Sequence, residues 1–220
     1  MRRAPLSRDR ILQAAVALVD HEGLDALTMR KLGATLGVEA MSLYKHVRNK
    51  DAILDGIVDL VGAEIEVSPG DRETWQGLLR RRATASRVVF TRHPWAIGLL
   101  ESRRVLGPNL LRSLDAALGS LQGAGFTIDA AAHALWLLDS FVYGHVIQET
   151  SRRKAGEGAT EEMLEQVRSS GYPHLAALGQ HALTEGFTAD VEFDIGLELI
   201  LQALAGLQGA PPERLSGPPS

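Results

Sequence analysis

The sequence predicts an all-α protein with an N-terminal helical domain and a C-terminal helical bundle. Apolar side chains recur at intervals of three and four residues through most of the chain, as in Ile11, Ala15 and Leu18, which is the pattern of an amphipathic helix. Ser, Thr or Asn precedes several of these segments, where its side chain can cap a helix. No segment alternates apolar and polar residues strongly enough to indicate a strand.

Helical periodicity also indicates where the chain divides. The first helix follows Ser7 and ends near His21. A longer helix runs from Asp51 to Glu66, and Ser68-Pro69-Gly70 ends it, because proline cannot continue a helix and glycine favours turns. The predicted units are an N-terminal domain with its connecting helix at 1–67, a second domain at 68–208 and a disordered, proline-containing tail at 209–220.

The second domain is predicted to be a bundle. The spacing of apolar residues, proline and glycine gives helices over Trp75–Phe90, from Pro108 to Gly123 or Gly125, from Ile128 to about Thr150, over Glu161–Arg168 and over Phe193–Leu207. The helix from Ile128 is apolar on more than one side, so we expect it at the centre of the bundle. Residues 151–174 are otherwise polar and glycine-rich, and we expect them to be the most mobile.

Residues 28–50 are the most informative segment. Thr28 can cap a short helix, and Gly37 follows where helices commonly end in a left-handed residue. A second short helix then continues. The inward faces of the two helices are formed by Met29, Leu32, Leu36, Val38, Leu43 and Val47. Two short helices joined by a glycine turn make a helix-turn-helix, which can place its second helix in the major groove of DNA.

The outward side chains of the second helix suit contact with DNA. They mix small, apolar and hydrogen-bonding types, as base edges and thymine methyl groups require. They are Ala40, Met41, Ser42, Tyr44, Lys45 and His46. Asn49 can cap the next helix, and Lys50 adds a cation beside its free backbone amides, which favours a phosphate. A solvated helical hairpin is the competing interpretation, but the coincidence of turn, caps and cations favours DNA.

Charge is divided unevenly along the chain. The net charge of the 220 residues is −4, but residues 1–50 carry nine Lys or Arg against five Asp or Glu, a net charge of +4. The remaining 170 residues carry −8. An electrostatic field that attracts phosphate is therefore confined to the N-terminal domain, and the acidic remainder discourages DNA from binding elsewhere.

Composition excludes several classes of protein. The chain has no cysteine, which excludes disulfide scaffolds and thiolate metal sites and is compatible with the reducing cytoplasm, where we expect the protein to act. No run of residues reaches the roughly 18 apolar side chains that a membrane span needs. We therefore expect no membrane partner.

Polar and aromatic residues of the second domain are candidates for a ligand site. On one face of the long helix they are Trp136, Asp139 or Ser140, and Tyr143. Another helix that could face it carries Trp95, Leu99 and Arg103. Asp139 stands in an otherwise apolar helix, so its burial would demand a partner, either Arg103 or a cationic ligand. A structural ion pair and ordinary core packing are the competing explanations.

Two other functional classes remain open from the residues alone. A metal-dependent enzyme could use His145 and Glu149, which are spaced i, i+4, although the sequence shows no third ligand. No glycine-rich phosphate loop, nucleophile elbow or pair of catalytic carboxylates is present, so we expect no enzymatic activity and no cofactor. The other class is a helical adaptor that binds proteins through the acidic second domain. Neither class would retard DNA sequence-specifically in a gel.

From about Ser7 to Val61 the sequence resembles the DNA-binding domain of the TetR family of bacterial transcriptional regulators. The resemblance rests on the combination of Ile11-Leu12-Gln13-Ala14-Ala15, Gly23-Leu24, Leu27-Thr28-Met29-Arg30-Lys31-Leu32, Leu36-Gly37-Val38, Leu43-Tyr44-Lys45-His46-Val47 and Asn49-Lys50. It implies that five residues either contact DNA phosphates or support those contacts. They are Thr28, Arg30, Tyr44, His46 and Lys50. It implies that base pairs are faced by Ala40, Met41, Ser42 and Lys45.

The second half is similar, more loosely, to the ligand-binding and dimerisation domain of the tetracycline-repressor branch. The similarity lies in Gly125-Phe126, in the run through Phe141 and Gly144, and in residues 193–200. It implies that the long helix and the last helix pair with their mates in a homodimer. Small residues such as Gly144 and Gly196 would permit close packing there.

One departure from that branch concerns its ligand. The tetracycline-binding members hold a magnesium-bound drug with a glutamate and a histidine. Gln148 stands in the place of the glutamate, and Arg103 lies near the place of the histidine. We therefore expect no tetracycline or magnesium site, and candidate contacts to another small organic effector are Trp95, Leu99, Arg103, Trp136, Asp139, Tyr143 and Gln148. The resemblance as a whole implies a homodimeric repressor that binds a roughly palindromic operator until this effector releases it.

Overall fold

The structure of the chain is a computed structural model, which describes residues 5–65, 74–103, 106–156, 160–184 and 188–209. The predicted break at Ser68-Pro69-Gly70 and the predicted tail beyond Gly209 lie outside the described residues. Across the described ranges the chain is helical and has no strand, so the predicted all-α class is confirmed. No helix in these ranges has the length and apolar character needed to cross a bilayer.

The α-helices are, in chain order, α1 (Arg8–Glu22), α2 (Met29–Leu36), α3 (Ala40–Leu43), α4 (Lys50–Ala63), α5 (Trp75–Arg92), α6 (Trp95–Ser102), α7 (Pro108–Gly123), α8 (Ile128–Ala155), α9 (Glu161–Ser169), α10 (Pro173–Thr184) and α11 (Ala189–Ala205). A 3₁₀ turn over Leu24–Ala26, which is absent from the predicted elements, joins α1 to α2.

Helices α1 to α4 enclose a first hydrophobic core. Ser7 caps α1, because its hydroxyl oxygen accepts a hydrogen bond from the Arg10 backbone N–H at 3.3 Å. Apolar residues from all four helices and the turn before α2 meet in this core. The largest fully buried side chains in this core are those of Ile11, Leu27, Leu32, Leu43, Ile53 and Ile57.

Helices α5, α7, α8 and α11 enclose most of a second core. The other three all pack on α8, so the predicted central position of the long helix is confirmed. The most deeply buried side chains of this core include Leu79, Phe90, Leu121, Leu138, Val146, Phe193 and Leu197. Helices α9 and α10 pair with each other as a helical hairpin.

Helix α4 takes part in both cores. Its Ile53 and Ile57 lie in the first core, whereas Val61 on the same helix lies in the second. α4 also contacts α6 and α7. A single helix therefore connects the helix-turn-helix to the bundle.

Asp59 of α4 supplies the N-terminal cap of α7. Its Oδ1 accepts hydrogen bonds from the backbone N–H groups of Asn109 at 2.9 Å and Leu110 at 3.2 Å. The residue at the N-cap position of α7 itself, Gly107, makes no side-chain cap bond. Since the first amides of a helix are otherwise unsatisfied and lie at its positive end, this carboxylate fixes α7 to α4.

The structure moves the ends of two predicted helices. α8 runs past the predicted Thr150 to Ala155, because Glu149 and Arg153 pair at 2.6 Å with i, i+4 spacing and the last turn is basic. α11 begins before the predicted Phe193, since Thr188 caps it by accepting a hydrogen bond from Val191 N at 3.3 Å.

The polar segment at 151–174 contains more helix than the sequence predicts. Its described residues include the last turn of α8, all of α9 and the start of α10. Helix α10 is absent from the predictions, because its exposed Leu175 and Leu178 do not form a buried apolar face.

Candidate nucleic-acid interface and ligand region

The helix-turn-helix is held in shape by a cap, a turn and one close contact. Thr28 Oγ1 accepts a hydrogen bond from Lys31 N at 3.1 Å and so caps α2. Gly37 ends α2 with φ 68° and ψ 37°, the left-handed conformation that the sequence predicts. At Gly33 a Cβ atom would lie 2.9 Å from the carbonyl oxygen of Val38. A larger residue at position 33 would therefore separate the two helices.

The recognition segment, residues 40–46, exposes most of its predicted contact residues. Helix α3 is a single turn, and Tyr44 to His46 continue it as a turn. Leu43 and Val47 are buried beneath this surface. The solvent-exposed side chains are Met41, Tyr44, Lys45 and His46, and the half-buried ones are Ala40 and Ser42. Met41 is 75% exposed, so the segment presents an apolar side chain to its partner.

Helix N-termini and cations flank that surface. Asn49 Oδ1 accepts a hydrogen bond from Ala52 N at 2.8 Å and caps α4, whose first residue is the exposed Lys50. Arg30, in the first turn of α2, is exposed as well. Lys31 pairs with Glu22 of α1. Backbone amides at helix N-termini and exposed cations are the groups that bind DNA phosphates.

Replacing Lys50 by alanine should weaken binding to all duplex sequences alike. Loss of one phosphate contact lowers the slope of log affinity against log salt by about one unit. The slope can be measured by fluorescence anisotropy with a labelled duplex at several salt concentrations. Lys154→Ala, at the far end of α8, is the matched control and should leave the slope unchanged. An unaltered slope for Lys50→Ala would contradict this docking geometry.

Comparison with known proteins identifies the family. Residues 11–57 match the family model described as bacterial regulatory proteins, tetR family, and residues 68–208 match the one described as tetracyclin repressor-like, C-terminal domain. The chain belongs to the TetR family. TetR-family proteins are DNA-binding transcriptional regulators and not enzymes, so the enzyme alternative built on His145 and Glu149 is wrong.

Similarity to individual TetR-family proteins extends over nearly the whole chain. The HTH-type transcriptional repressor DrrR1 of Streptomyces coeruleorubidus is 32% identical over 212 residues, covering 90% of this chain and 77% of that protein. The tetracycline repressor protein class A from transposon 1721 of Escherichia coli is 30% identical and covers 91% of each chain. The crystal structure of Streptomyces coelicolor ActR in complex with actinorhodin has a TM-score of 0.76 at 29% identity, covering 94% of this chain and 100% of that one.

Three of the candidate ligand residues lie against the DNA-binding domain of this TetR-family chain. Trp95 Nε1 donates a hydrogen bond to Asp20 of α1 at 2.7 Å, and Leu99 is buried in the first core. Arg103 pairs with Asp55 of α4 at 2.9 Å. Of the two partners that the sequence offered for Asp139, Arg103 is therefore wrong, because α6 packs on α4 and the arginine that follows α6 reaches the acidic residues there.

The remaining candidates on α8 have different surroundings. Tyr143 is partly buried, and its ring meets that of Phe90 on α5 edge to face at 5.4 Å between centroids. Trp136 is 68% exposed, and Gln148 is exposed. Trp136 therefore does not enclose a pocket with Asp139 and Tyr143 inside this chain, because α5 covers the latter two and leaves the tryptophan in solvent.

Asp139 has a partner that sequence reasoning missed. Arg82 of α5 lies 3.5 Å from Asp139 Oδ1 and donates a hydrogen bond to Ser113 Oγ of α7 at 2.8 Å. Burial raises the pKa of Asp139, and the Arg82 guanidinium opposes that rise. A signal was present in the sequence: Arg82, Ser86 and Phe90 are spaced by four residues, so they share one face of α5.

A second ionic cluster lies nearer the end of α8. Glu149 is 3% exposed and accepts hydrogen bonds from Arg87 at 2.9 Å and Arg153 at 2.6 Å. Arg87 also pairs with Asp190 at 2.6 Å. Burial lowers the pKa of His145, whose Nε2 lies 3.8 Å from the same glutamate. Two guanidinium groups thus form ion pairs with the Glu149 carboxylate, and no group of three metal-ligating residues occurs in the described ranges. Through Arg87 the cluster ties α5 to α8 and to the start of α11.

Proposed function

We propose that the chain is a cytoplasmic, homodimeric repressor that holds a roughly palindromic operator and leaves it when a small organic molecule binds the bundle. The observation that carries the proposal is the exposed recognition segment at Ala40–His46, flanked by Lys50 and joined by α4 to the second core. Such a segment matches the width of the DNA major groove.

The outer faces of α8 and α11 support the dimer. Each helix carries apolar side chains that are 44% to 68% exposed in the described chain. They are Trp136, Leu137 and Ile147 on α8 and Val191, Ile195 and Leu199 on α11. Monomeric proteins rarely expose apolar patches of this kind, and such patches mark protein interfaces. A second copy of the chain would cover the same surface on both subunits, as two-fold symmetry requires.

Two glycines near this face differ in their surroundings. A Cβ atom at Gly144 would meet nothing within 4 Å, so that backbone is open to a close partner. At Gly196 a Cβ atom would lie 2.6 Å from the Phe141 ring of the same chain. A bulky residue at position 196 would therefore disturb the packing of α11 on α8 before it reached a partner.

The contacts between bundle and helix-turn-helix support release by a ligand. Asp59 caps α7, Arg103 pairs with Asp55, and Trp95 bonds to Asp20 of α1. A shift of α6 or α7 would consequently move α4 and change the separation of the two DNA-binding domains in the proposed dimer. A ligand releases DNA only if it binds the released arrangement more tightly than the DNA-bound one. The ActR complex with actinorhodin supports an organic effector.

Selection of bound fragments from a random DNA library tests the proposal. The wild-type chain should enrich one inverted repeat, whose half-sites lie about one helical turn or more apart. Met41→Lys should change the enriched bases, because Met41 is expected to face them. Met163→Lys, which alters an exposed methionine on α9, should enrich the wild-type sequence. Enrichment of no sequence by the wild-type chain would contradict the proposed function.

A further inference from the structure

The buried guanidinium of Arg82 has too few hydrogen-bond acceptors. Arg82 is 8% exposed, and an arginine side chain carries five N–H donors. Ser113 Oγ accepts one hydrogen bond at 2.8 Å, whereas Asp139 lies at the longer distance of 3.5 Å. The Nε of Arg82 is buried and has no hydrogen-bond partner among the described residues. Leaving a buried donor unsatisfied is costly and uncommon in native proteins.

Three helices of the bundle meet around this arginine. Arg82 comes from α5, Ser113 from α7, and Asp139 and Tyr143 from α8; we call these four residues the Arg82 cluster. The Tyr143 ring contacts Phe90 of α5. The cluster thus combines an incompletely bonded cation with aromatic surface, which is how pockets for planar organic molecules are lined.

Resting on the proposed function, we propose that the Arg82 cluster is the effector site and that it selects an aromatic carboxylic acid. The ligand's carboxylate accepts hydrogen bonds from the Arg82 guanidinium, including its unsatisfied Nε. A guanidinium is planar and presents parallel N–H groups, so a carboxylate is the acceptor that matches it in two bonds at once. The aromatic body of the ligand packs on the rings of Tyr143 and Phe90.

The charges of the cluster accommodate a second carboxylate. Burial raises the pKa of Asp139, and Glu101 acts in the same direction while Arg82 opposes both. Burial and Asp139 also raise the pKa of the Tyr143 hydroxyl, so that group stays neutral. When a ligand anion shares Arg82, Asp139 takes up a proton, because two carboxylates around one cation disfavour double ionisation. The site then holds one positive and one negative charge.

The position of Ser113 connects this site to the DNA-binding domain. Ser113 lies on α7, less than one helical turn from Leu110, whose backbone N–H bonds to Asp59 of α4. A carboxylate that bonds to Arg82 Nε draws on the same guanidinium whose Nη1 holds Ser113, so the ligand is linked to α7 through Arg82. When the ligand moves the guanidinium, α7 moves with it, and the Asp59 cap transmits the shift to α4.

Matched pairs of aromatic acids and their primary amides test the inference. The probes are benzoate with benzamide and 2-naphthoate with 2-naphthamide, and their binding to the full chain is measured by calorimetry. We expect that the acid with the higher affinity, benzoate or 2-naphthoate, binds at least tenfold more tightly than its own amide. Hydrogen bonds to a charged group account for about tenfold to hundredfold in affinity. The double variant Arg82→Gln/Asp139→Asn leaves no unpaired buried charge and should lose this preference.

Control measurements separate the possible failures. Arg80→Gln removes an exposed cation from the same helix and should keep the preference for acids. Absence of acid binding, equal binding of acids and amides, or an unchanged preference in the double variant would each overturn the inference. Binding of selected DNA by the same wild-type preparation is measured in parallel. DNA binding without any preference for acids would contradict the effector site but not the proposed function.

Discussion

Replacing Leu199 by glutamate should convert the proposed dimer into a folded monomer. Leu199 is 61% exposed within the chain and follows the 54% exposed Ile195 by one helical turn on α11. A charge at this position costs the isolated subunit little, because the side chain already lies in solvent. In a dimer interface, however, an unpaired buried carboxylate is strongly unfavourable. Light scattering at micromolar concentration should report the mass of one chain.

The same substitution should lower the affinity for operator DNA by about a hundredfold or more. A monomer presents one recognition segment, and losing the linked second half-site removes the gain in effective concentration that the dimer provides. Leu111→Glu changes a similarly exposed leucine on α7 and should leave both the mass and the DNA affinity unchanged. If Leu199→Glu remained dimeric while circular dichroism showed a native helical content, the proposed interface would be wrong.

Replacing Arg87 by methionine should destabilise the folded chain by about 3 kcal/mol, the loss expected when one partner of a buried ion pair is removed. Arg87 bonds to the buried Glu149, pairs with Asp190, and lies 4.8 Å from the centre of the Phe193 ring. Without it, the glutamate keeps only the largely exposed Arg153 as a permanently charged partner. Urea unfolding followed by circular dichroism measures the change.

Arg80→Met is the matched control for this prediction. Arg80 lies on α5, as Arg87 does, and pairs at 2.6 Å with Glu198 of α11. The side chains of Arg80 and Glu198 are each about half exposed. Exposed ion pairs contribute little, because water screens them and holding the two side chains together costs entropy. The midpoint of unfolding should therefore hardly move in Arg80→Met. Equal effects of the two substitutions would show that burial does not set the strength of the Arg87 pair.

The DNA-binding domain could be predicted closely because its signals are local. Thr28, Gly37 and Asn49 act on backbone groups within a few residues, so capping and turn rules were sufficient to place the helices around them. The exposure of Met41 and the burial of Leu43 follow from helical periodicity.

The ligand region could not be predicted in the same way, because its contacts join residues far apart in the chain. Arg82 meets Ser113 and Asp139 only after α5, α7 and α8 have packed together. The sequence indicated that a buried Asp139 would need a partner and offered Arg103 or a cationic ligand, but helical spacing alone could not show that Arg82 is that partner. The cap that Asp59 provides to α7 likewise depends on tertiary packing, since it replaces a local cap that Gly107 cannot supply.

The composition of the complex with DNA tests the central claim most directly. A duplex enriched by selection is mixed with the wild-type chain, the mass of the complex is measured by light scattering, and the contacts are mapped by hydroxyl-radical footprinting. We predict two chains on one duplex, with two protected half-sites related by a two-fold axis and about one turn or more apart on the same side of the DNA. A single chain protecting one site, or protection that does not depend on sequence, would contradict the account.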